Sequence, residues 1–220
     1  MDNFTIVLNG RKALRKQIRK QIGEISAKVQ LTEENSSILF TSTYEGEGKS
    51  TISLNLAIAL SRCEKEIVWV DCNCHKRKTI YSIKDSDKGQ EQKKKKKKSW
   101  GLLDYLNLSC SLDDIIYHVE EEKLSIIPIG TLVENASELF EKAAFQELLI
   151  KLRERFDYVI LDSSAAGKFV DSKILASKCD SVVYVIEFNK VNRSLVKDTM
   201  DEIRKCKGKI LGAVMNKSKF

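Results

Sequence analysis

Long apolar runs are missing from this chain of 220 residues. No stretch approaches the roughly 20 consecutive apolar residues that a helix needs to cross a bilayer. The first residues, Met1-Asp2-Asn3-Phe4, also lack the basic and then apolar pattern of a secretory signal. We therefore expect a protein that is made and kept in the cytoplasm.

Closely spaced cysteines are missing as well. The six cysteines are scattered along the chain, which favours reduced thiols over a disulfide framework. Cys72, Cys74 and His75 lie near one another in the sequence and suggest a metal site. A zinc site needs a second pair of ligands at a defined spacing, and the sequence shows none, so we expect no zinc here.

The net charge of +7 is concentrated in one lysine run, Lys93–Lys98, without which the chain is nearly balanced. This run lies in a charged, low-complexity segment at about residues 76–100, which we interpret as a mobile surface loop. A second interpretation is an anchor for an anionic membrane surface or nucleic acid, because each lysine near an anionic membrane contributes about 1 kcal/mol. Loop entropy and salt screening reduce that figure, and we expect no specific nucleic-acid partner.

A basic helix is predicted at about residues 10–30. Aliphatic residues recur at helical spacing on one face, and basic residues between Arg11 and Lys20 occupy another. The aliphatic residues are Leu14, Ile18, Ile22 and Ile25. A solvated basic face explains the pattern, and contact with anionic lipid, an acidic partner or nucleic acid is the alternative.

Short apolar runs alternate with helical patterns along the rest of the chain. This alternation predicts an α/β fold, with a mostly parallel, doubly wound sheet flanked by helices, in a single domain over residues 1–220. The predicted strands are Ser37–Ser42, Ile67–Val70, Leu124–Ile127, Tyr158–Leu161, Ser181–Ile186 and Ile210–Met215. The predicted helices are Thr51–Arg62, Ser137–Arg155, Val170–Lys178 and Asn192–Cys206.

A glycine-rich segment between the first of these strands and its helix is typical of a phosphate-binding loop. Gly46 and Gly48 let backbone N–H groups turn inward toward a β-phosphate. Lys49 would reach the β- and γ-phosphates, and Ser50 would offer its hydroxyl to Mg²⁺, as the Walker A pattern requires. Thr43 stands where the first glycine of that pattern normally stands. Because a β-branched residue resists positive φ, we expect the loop to enter its turn differently.

Asp71 and Asp162 each follow an apolar strand. Ligands of such sheets bind beyond the carboxyl ends of the strands, so we expect the phosphate loop and these two acids to converge on one site. Mg²⁺ needs oxygen ligands and keeps several waters, so one or two carboxylates with Ser50 and phosphate oxygens are sufficient. The alternative role for an aspartate after a strand is to cap a helix.

Together these segments resemble the bacterial tyrosine kinases of capsule and exopolysaccharide synthesis, of the soluble CpsD/CapB type. The resemblance covers nearly the whole chain, and several motifs in the right order make it more specific than the phosphate loop alone. The segments that carry it are Ile38–Ser42 with Gly46–Thr51 for Walker A, Val68–Asn73 for Walker A′, Phe156–Asp162 for Walker B, and the linking segments Gly101–Leu106 and Asn135–Leu139.

The resemblance implies an ATP·Mg²⁺ site that transfers the γ-phosphoryl group to tyrosine hydroxyls of protein substrates. It implies that Lys49 stabilises the phosphates, that Ser50 and Asp162 hold Mg²⁺, and that Asp71, also a candidate metal ligand, accepts the tyrosine proton. Asn216 would touch the adenine base, or else cap a turn. The cofactor-binding set is then Gly46, Glu47, Gly48, Lys49, Ser50, Thr51 and Asn216.

The same resemblance implies partners. They are a membrane-spanning activator of the polysaccharide co-polymerase type, which would recruit the protein to the inner face of the membrane, and further copies of the chain in a homo-oligomer. The family's assembly motif, Glu-x-x-Arg-x-x-Arg, aligns with Asn9, Lys12 and Arg15, so only its last arginine survives. This weakens the expectation of a closed ring.

The sequence departs from the family pattern at several places. Asn73 replaces the second aspartate of Walker A′, and loss of a positioned base typically costs on the order of 10²- to 10⁴-fold in rate. His75 replaces an arginine and is not a permanent cation. Glu45 and the segment Ser163–Ala166 stand where the family has prolines, so we expect altered backbone geometry there. The six tyrosines are dispersed, without the family's tyrosine-rich tail, so self-modification of the usual kind is not expected.

The alternative function is a non-kinase ATPase switch similar to the cell-division and plasmid-partition ATPases. Those proteins share the Walker segments but use ATP to dimerise or dock, and Asn73 favours this interpretation. They usually carry an extra lysine near the start of the phosphate loop, whereas Thr43–Glu47 contains none. That difference favours the kinase type.

Overall fold

In the computed structural model, residues 4–8, 16–30, 36–75, 81–85, 99–119 and 122–218 are described. The strands are β1 (Phe4–Leu8), β2 (Ser36–Ser42), β3 (Ile67–Asp71), β4 (Tyr81–Asp85), β5 (Tyr117–His118), β6 (Leu124–Ile127), β7 (Tyr158–Asp162), β8 (Ser181–Glu187) and β9 (Ile210–Asn216). The helices are α1 (Lys16–Gln30), α2 (Lys49–Ser61), α3 (Leu102–Leu106), α4 (Ala136–Glu141), α5 (Ala143–Arg155), α6 (Asp171–Lys178) and α7 (Arg193–Lys205).

Seven strands form the main sheet in the order β5-β6-β3-β7-β2-β8-β9. Every neighbouring pair is parallel except β5 with β6. Strands β2, β3 and β7 are buried along their whole length, because both faces of the sheet are covered. The predicted α/β fold, with a mostly parallel sheet flanked by helices, is confirmed.

Alternate residues of each central strand enter two different cores. Ile38 and Phe40 pack with α1 and α2 on one face, whereas Leu39 between them packs with α4 to α7 on the other. This two-sided packing explains why the strands read as continuous apolar runs in the sequence. It is the doubly wound arrangement, which places the carboxyl ends of the parallel strands at one open edge.

The predicted helix Ser137–Arg155 is interrupted in the structure. Lys142, with φ −59° and ψ 151°, is extended and separates α4 from α5. Phe140 and Phe145 are both fully buried and meet edge to face with ring centroids 5.6 Å apart. In a continuous helix, residues five positions apart would point about 140° away from each other, so the break lets both rings enter one core.

The segment predicted as a mobile loop at about 76–100 contains a strand. Tyr81–Asp85 forms β4, which pairs antiparallel with β1 in a separate two-stranded sheet. Residues 76–80 and 86–98, including Lys93–Lys98, lie outside the described residues, as do Asn9, Lys12 and Arg15 of the predicted assembly motif. The predicted basic helix at 10–30 is seen as α1 from Lys16 onward. Across the described ranges, no helix combines the length and apolarity that crossing a bilayer would require.

Candidate nucleotide site

The loop between β2 and α2 has the backbone conformation that its glycines allow. Gly46 has φ 79° and Gly48 has φ 101°, values that residues with a side chain rarely adopt. Gly48 is also the residue before the first turn of α2, and a Cβ atom there would collide with the amide of Asn216. The two glycines therefore fix the turn that brings backbone N–H groups toward the helix N-terminus.

Thr43 enters this turn without strain. It does not have a positive φ, its side chain is fully buried, and its Oγ1 lies 2.7 Å from the hydroxyl of Tyr184. Gly167 packs directly against the Thr43 backbone, where a Cβ atom would lie 2.5 Å from the carbonyl oxygen. The threonine thus takes the place of a glycine because this position of the loop does not require a positive φ.

Lys49 begins α2 and is buried, with 5% of its surface exposed. Its Nζ donates a hydrogen bond of 3.0 Å to Ser42 Oγ, which in turn donates to the carbonyl oxygen of Tyr44 at 2.6 Å. A cavity of about 280 Å³ opens beside it, lined by Glu45, Gly46, Gly48, Lys49, Ser50, Thr51 and Asn73. An ammonium group, a hydroxyl and the N-terminus of a helix face this cavity, which is the donor set that phosphate groups require.

Glu47 plays a part that the sequence did not predict. Its carboxylate is fully buried and accepts the backbone N–H groups of Tyr44 and, at 2.9 Å, of Glu187 at the end of β8. It does not line the cavity. Its side chain therefore holds the loop from behind, whereas the sequence had placed it among the cofactor-binding residues, a role that stays a prediction.

The end of β9 holds the same loop. Asn216 Nδ2 donates to the carbonyl oxygen of Glu47 at 2.7 Å, and Lys217 Nζ donates to that of Gly46 at 2.9 Å. Lys217 also pairs with Glu187 at 3.0 Å. The hydrogen bond from Lys190, and next the one from Lys217, lower the pKa of Glu187. The ends of β8 and β9 thus determine where the phosphate loop lies.

Asp71 and Asp162 meet at the carboxyl edge of the sheet, as the sequence predicted. They are register partners on the neighbouring strands β3 and β7, and both are buried. Two carboxylates on adjacent strands beside a helix N-terminus suit an ion such as Mg²⁺, which takes oxygen ligands and keeps part of its water. Ser50 directly follows Lys49 in the first turn of α2, and it lines the cavity.

A tyrosine hydroxyl donates a hydrogen bond to one of these carboxylates. Tyr81 donates to Asp71 Oδ2 at 3.1 Å, while the backbone N–H of Asn73 donates to Oδ1 at the same distance. Burial, and next the charge of Asp71, raise the pKa of Tyr81 well above its ordinary value, so Tyr81 remains a neutral donor. The ring of Tyr81 packs edge to face on Trp69 at 5.9 Å. This contact was not predicted from the sequence because Tyr81 falls in the segment predicted to be a loop.

His75 contacts the start of α6 and does not line the cavity beside the phosphate loop. Its Nε2 pairs with Asp171 at the start of α6, and its ring stacks on Phe169 with centroids 3.7 Å apart. The backbone N–H of His75 donates to Asn73 Oδ1, so the residues after Asp71 form a tight polar turn. The described residues contain no group of three or more His, Cys, Asp or Glu side chains placed to hold a metal ion.

Comparison with known proteins agrees with this geometry. Residues 36–214 match the AAA domain family. The tyrosine-protein kinase CpsD of Streptococcus agalactiae is 28% identical over 203 residues, which cover 92% of this chain and 84% of that protein. The kinase domain of VpsO has a TM-score of 0.73 at 26% identity and covers 94% of this chain and 100% of its own.

A more distant structural likeness defines the wider fold. The septum site-determining protein MinD of Pyrococcus horikoshii OT3, solved with Mg-ADP, has a TM-score of 0.62 at 18% identity, covering 84% of this chain and 72% of its own. At that identity the likeness speaks for the fold alone. The fold is that of the P-loop nucleoside triphosphatases.

Proposed function

This chain belongs to the AAA domain family and, within it, to the bacterial tyrosine kinases, and we propose that it binds ATP with Mg²⁺ and transfers the γ-phosphoryl group to protein tyrosines. The substrates we propose are proteins that control capsule or exopolysaccharide synthesis. The observation that carries the proposal is that Lys49 begins the helix that follows β2, while the in-register carboxylates Asp71 and Asp162 end the next two strands of the sheet. Phosphoryl transfer depends mainly on positioning and charge neutralisation, and this edge supplies both.

We propose the following roles for the residues at this edge of the sheet. Lys49 and the backbone N–H groups at Gly46 and Gly48 would neutralise the phosphates. Thr51, in the first turn of α2, would also contact the nucleotide. Ser50 and Asp162 would hold Mg²⁺, which when bound supplies positive charge to the transferring phosphoryl group. Asp71 would accept the proton of the acceptor tyrosine, or share the metal.

Asn216 supports the site in a different way from the one first expected. Its amide Nδ2 donates to the Glu47 carbonyl and so fixes the phosphate loop. We propose that it acts chiefly through the loop, with the adenine contact as a second role for its side chain, whose Oδ1 accepts the backbone N–H of Lys217 at 2.9 Å. Lys217 contacts both the loop and Glu187. We therefore expect substitutions at the end of β9 to change nucleotide affinity, and bound nucleotide to stabilise the end of β9.

Tyr81 imposes a condition on the transfer step. An acceptor tyrosine that gives its proton to Asp71 must approach the carboxylate to which Tyr81 already donates. The two hydroxyls are chemically equal donors, so the acceptor has to displace Tyr81 or approach the same carboxylate beside it. We propose that activation moves β4, which carries Tyr81, and that a membrane-spanning activator of the co-polymerase type brings this about at the inner face of the membrane.

The proposal is tested by incubating the protein with γ-labelled ATP, Mg²⁺ and the cognate activator. We expect label on tyrosine for the wild type, and strongly reduced label for Lys49→Met and Asp162→Asn. An exposed lysine, Lys197, serves as the matched control through Lys197→Met, which should keep the label. Tyrosine label no higher than that of Lys49→Met would refute the kinase assignment.

An ATPase switch is the second candidate, and two observations favour it. Asn73, which replaces the family's second aspartate, lines the cavity. The hydroxyl of Tyr81 is hydrogen-bonded to Asp71. Both weaken proton transfer while leaving the phosphate loop intact. Release of phosphate from ATP without any tyrosine label, in the same incubation, would support the switch instead of the kinase.

A further inference from the structure

The tyrosines of this chain differ sharply in their accessibility. Tyr81, Tyr117, Tyr158 and Tyr184 are buried, each with at most 6% of its surface exposed. Tyr105 is half-buried in α3, and its hydroxyl accepts a hydrogen bond from Lys151. Tyr44 alone among the six is exposed, with 43% of its surface accessible. A kinase active site can reach a tyrosine hydroxyl only when the side chain leaves the core, and Tyr44 is the most exposed of the six.

The hydroxyls of the buried tyrosines are also engaged. Tyr81 donates to Asp71, Tyr117 donates to the carbonyl oxygen of Trp100 at 3.0 Å, and Tyr184 lies 2.7 Å from Thr43 Oγ1. Phosphorylation of any of them would break a buried hydrogen bond and place roughly two negative charges inside the core. Modification of the folded protein at these positions is therefore unfavourable.

Tyr44 projects from a backbone that is held rigidly. Its N–H donates to the buried carboxylate of Glu47, and its carbonyl oxygen accepts from Ser42 Oγ, which also receives Lys49 Nζ. A fixed backbone with an exposed ring presents the hydroxyl at low entropic cost to a docking partner. Tyr44 does not line the cavity of its own chain, which favours a donor site on another molecule.

We propose that Tyr44 is a phosphoacceptor, modified in trans by a second copy of this chain. The inference rests on the proposed kinase function. In the step, the Tyr44 hydroxyl oxygen bonds to the γ-phosphorus of ATP held by the second copy, and the bond from that phosphorus to the bridging oxygen breaks. ADP leaves with the bonding electrons, and the hydroxyl proton passes to a carboxylate of the second copy, for which Asp71 is the candidate.

Modification at this position has a consequence for the chain that carries it. Phosphotyrosine adds a charge of roughly −1.5 to −2 next to Glu45 and beside the loop that receives anionic phosphates. Repulsion between these like charges, reduced by solvent and salt screening, weakens nucleotide binding. Phosphorylation of Tyr44 would thus lower the nucleotide affinity of the acceptor copy.

The experiment separates donor from acceptor. Wild-type protein carrying a size tag serves as the enzyme, and Lys49→Met protein without the tag serves as the acceptor, so that label on the smaller band reports transfer between copies. The matched acceptors are Lys49→Met/Tyr44→Phe and Lys49→Met/Tyr105→Phe. We expect label on the first acceptor and on the Tyr105→Phe acceptor, at least a tenfold loss with Tyr44→Phe, and a phosphopeptide that contains residue 44.

A tyrosine-containing copolymer in each reaction reports whether the enzyme is active. If the copolymer is labelled and the Tyr44→Phe acceptor is labelled as strongly as its parent, the inference is overturned while the kinase function stands. If the label maps to Tyr105, the inference is likewise overturned. If neither the copolymer nor any acceptor is labelled, both the kinase function and the inference fail. A fluorescent ADP titration of the wild-type protein before and after its phosphorylation, with Tyr44→Phe as the control, measures the expected loss of affinity.

Discussion

The buried carboxylate of Glu47 predicts how strongly the phosphate loop is anchored. It accepts backbone N–H groups from Tyr44 and Glu187, and it has no exposed surface. Glu47→Ala leaves both donors without this acceptor. A buried polar group deprived of its partner costs about 1–3 kcal/mol, so we expect the free energy of unfolding to fall by about 2–6 kcal/mol. Entry of water into the space left behind would bring the loss toward the lower end.

Two further variants make this expectation quantitative. Glu47→Gln keeps one acceptor oxygen and should lose about half as much, about 1–3 kcal/mol. Glu45→Ala is the matched control, because Glu45 forms a surface ion pair with Lys168 in which the side chains are 52% and 55% exposed. Exposed pairs of this kind contribute about 0–1 kcal/mol. In a domain of this size, each 1 kcal/mol corresponds to roughly 2–4 °C in the melting temperature.

The assay is urea denaturation followed by circular dichroism, with a fluorescent nucleotide titration on the same samples. We expect the order wild type, Glu45→Ala, Glu47→Gln and Glu47→Ala in stability, and the weakest nucleotide binding in Glu47→Ala. Equal urea midpoints for Glu47→Ala and Glu45→Ala would show that the carboxylate does not anchor the loop. In that case the contacts from β9 would have to hold it alone.

Other expectations concern the carboxylate edge and the core. Asn73→Asp restores a second acid beside Asp71 and should raise tyrosine labelling, by up to about 10²-fold, when steady-state transfer is measured. Tyr81→Phe removes a hydrogen bond to Asp71 and should lower the free energy of unfolding by about 1 kcal/mol in urea titrations, whereas no change would argue that the bond is not formed in solution. Burial raises the pKa of Cys72, and that of Cys179 to about 12. The folded state keeps these protons, whereas the unfolded state releases them above about pH 9. The contribution of these thiols to stability is therefore fully present below that pH, and the free energy of unfolding should fall above it by up to about 1.4 kcal/mol per pH unit for each thiol. Unchanged urea midpoints between about pH 8 and 10 would contradict this.

The central fold was predictable because its signals are local. Each strand of the parallel sheet is a short apolar run, and Ile38–Ser42 could be placed from such a run alone. The position of the glycine-rich loop between a strand and a helix was predictable for the same reason, since Gly46 to Ser50 are consecutive, whereas phosphate binding by this loop stays a prediction. The break at Lys142 was not predictable, because lysine has good helix propensity. The break depends on the packing of Phe140 and Phe145 in one core, which the local sequence does not reveal.

The contacts that hold the site were out of reach for a different reason. Glu187 reaches Glu47 across 140 positions of the chain, and Asn216 reaches it across 169. No periodicity or spacing in the sequence records which strand end will lie behind the loop. The order of strands records it: β2, which leads into the loop, is followed in the sheet by β8 and then β9, so their carboxyl ends must lie beside the loop.

The choice between a kinase and an ATPase switch is decided at Asp71 rather than at the phosphate loop. Both classes of protein need a loop that grips phosphate, and the arrangement of Gly46, Gly48 and Lys49 serves either one. A kinase also needs a carboxylate that a foreign tyrosine can reach, and here Oδ1 of Asp71 receives the Asn73 N–H while Oδ2 receives the Tyr81 hydroxyl. The Asn73 contact comes from the backbone and is independent of the side chain at that position, whereas the Tyr81 contact depends on β4 staying in place. Phosphoryl transfer in this chain is therefore expected to be controlled by whatever moves β4.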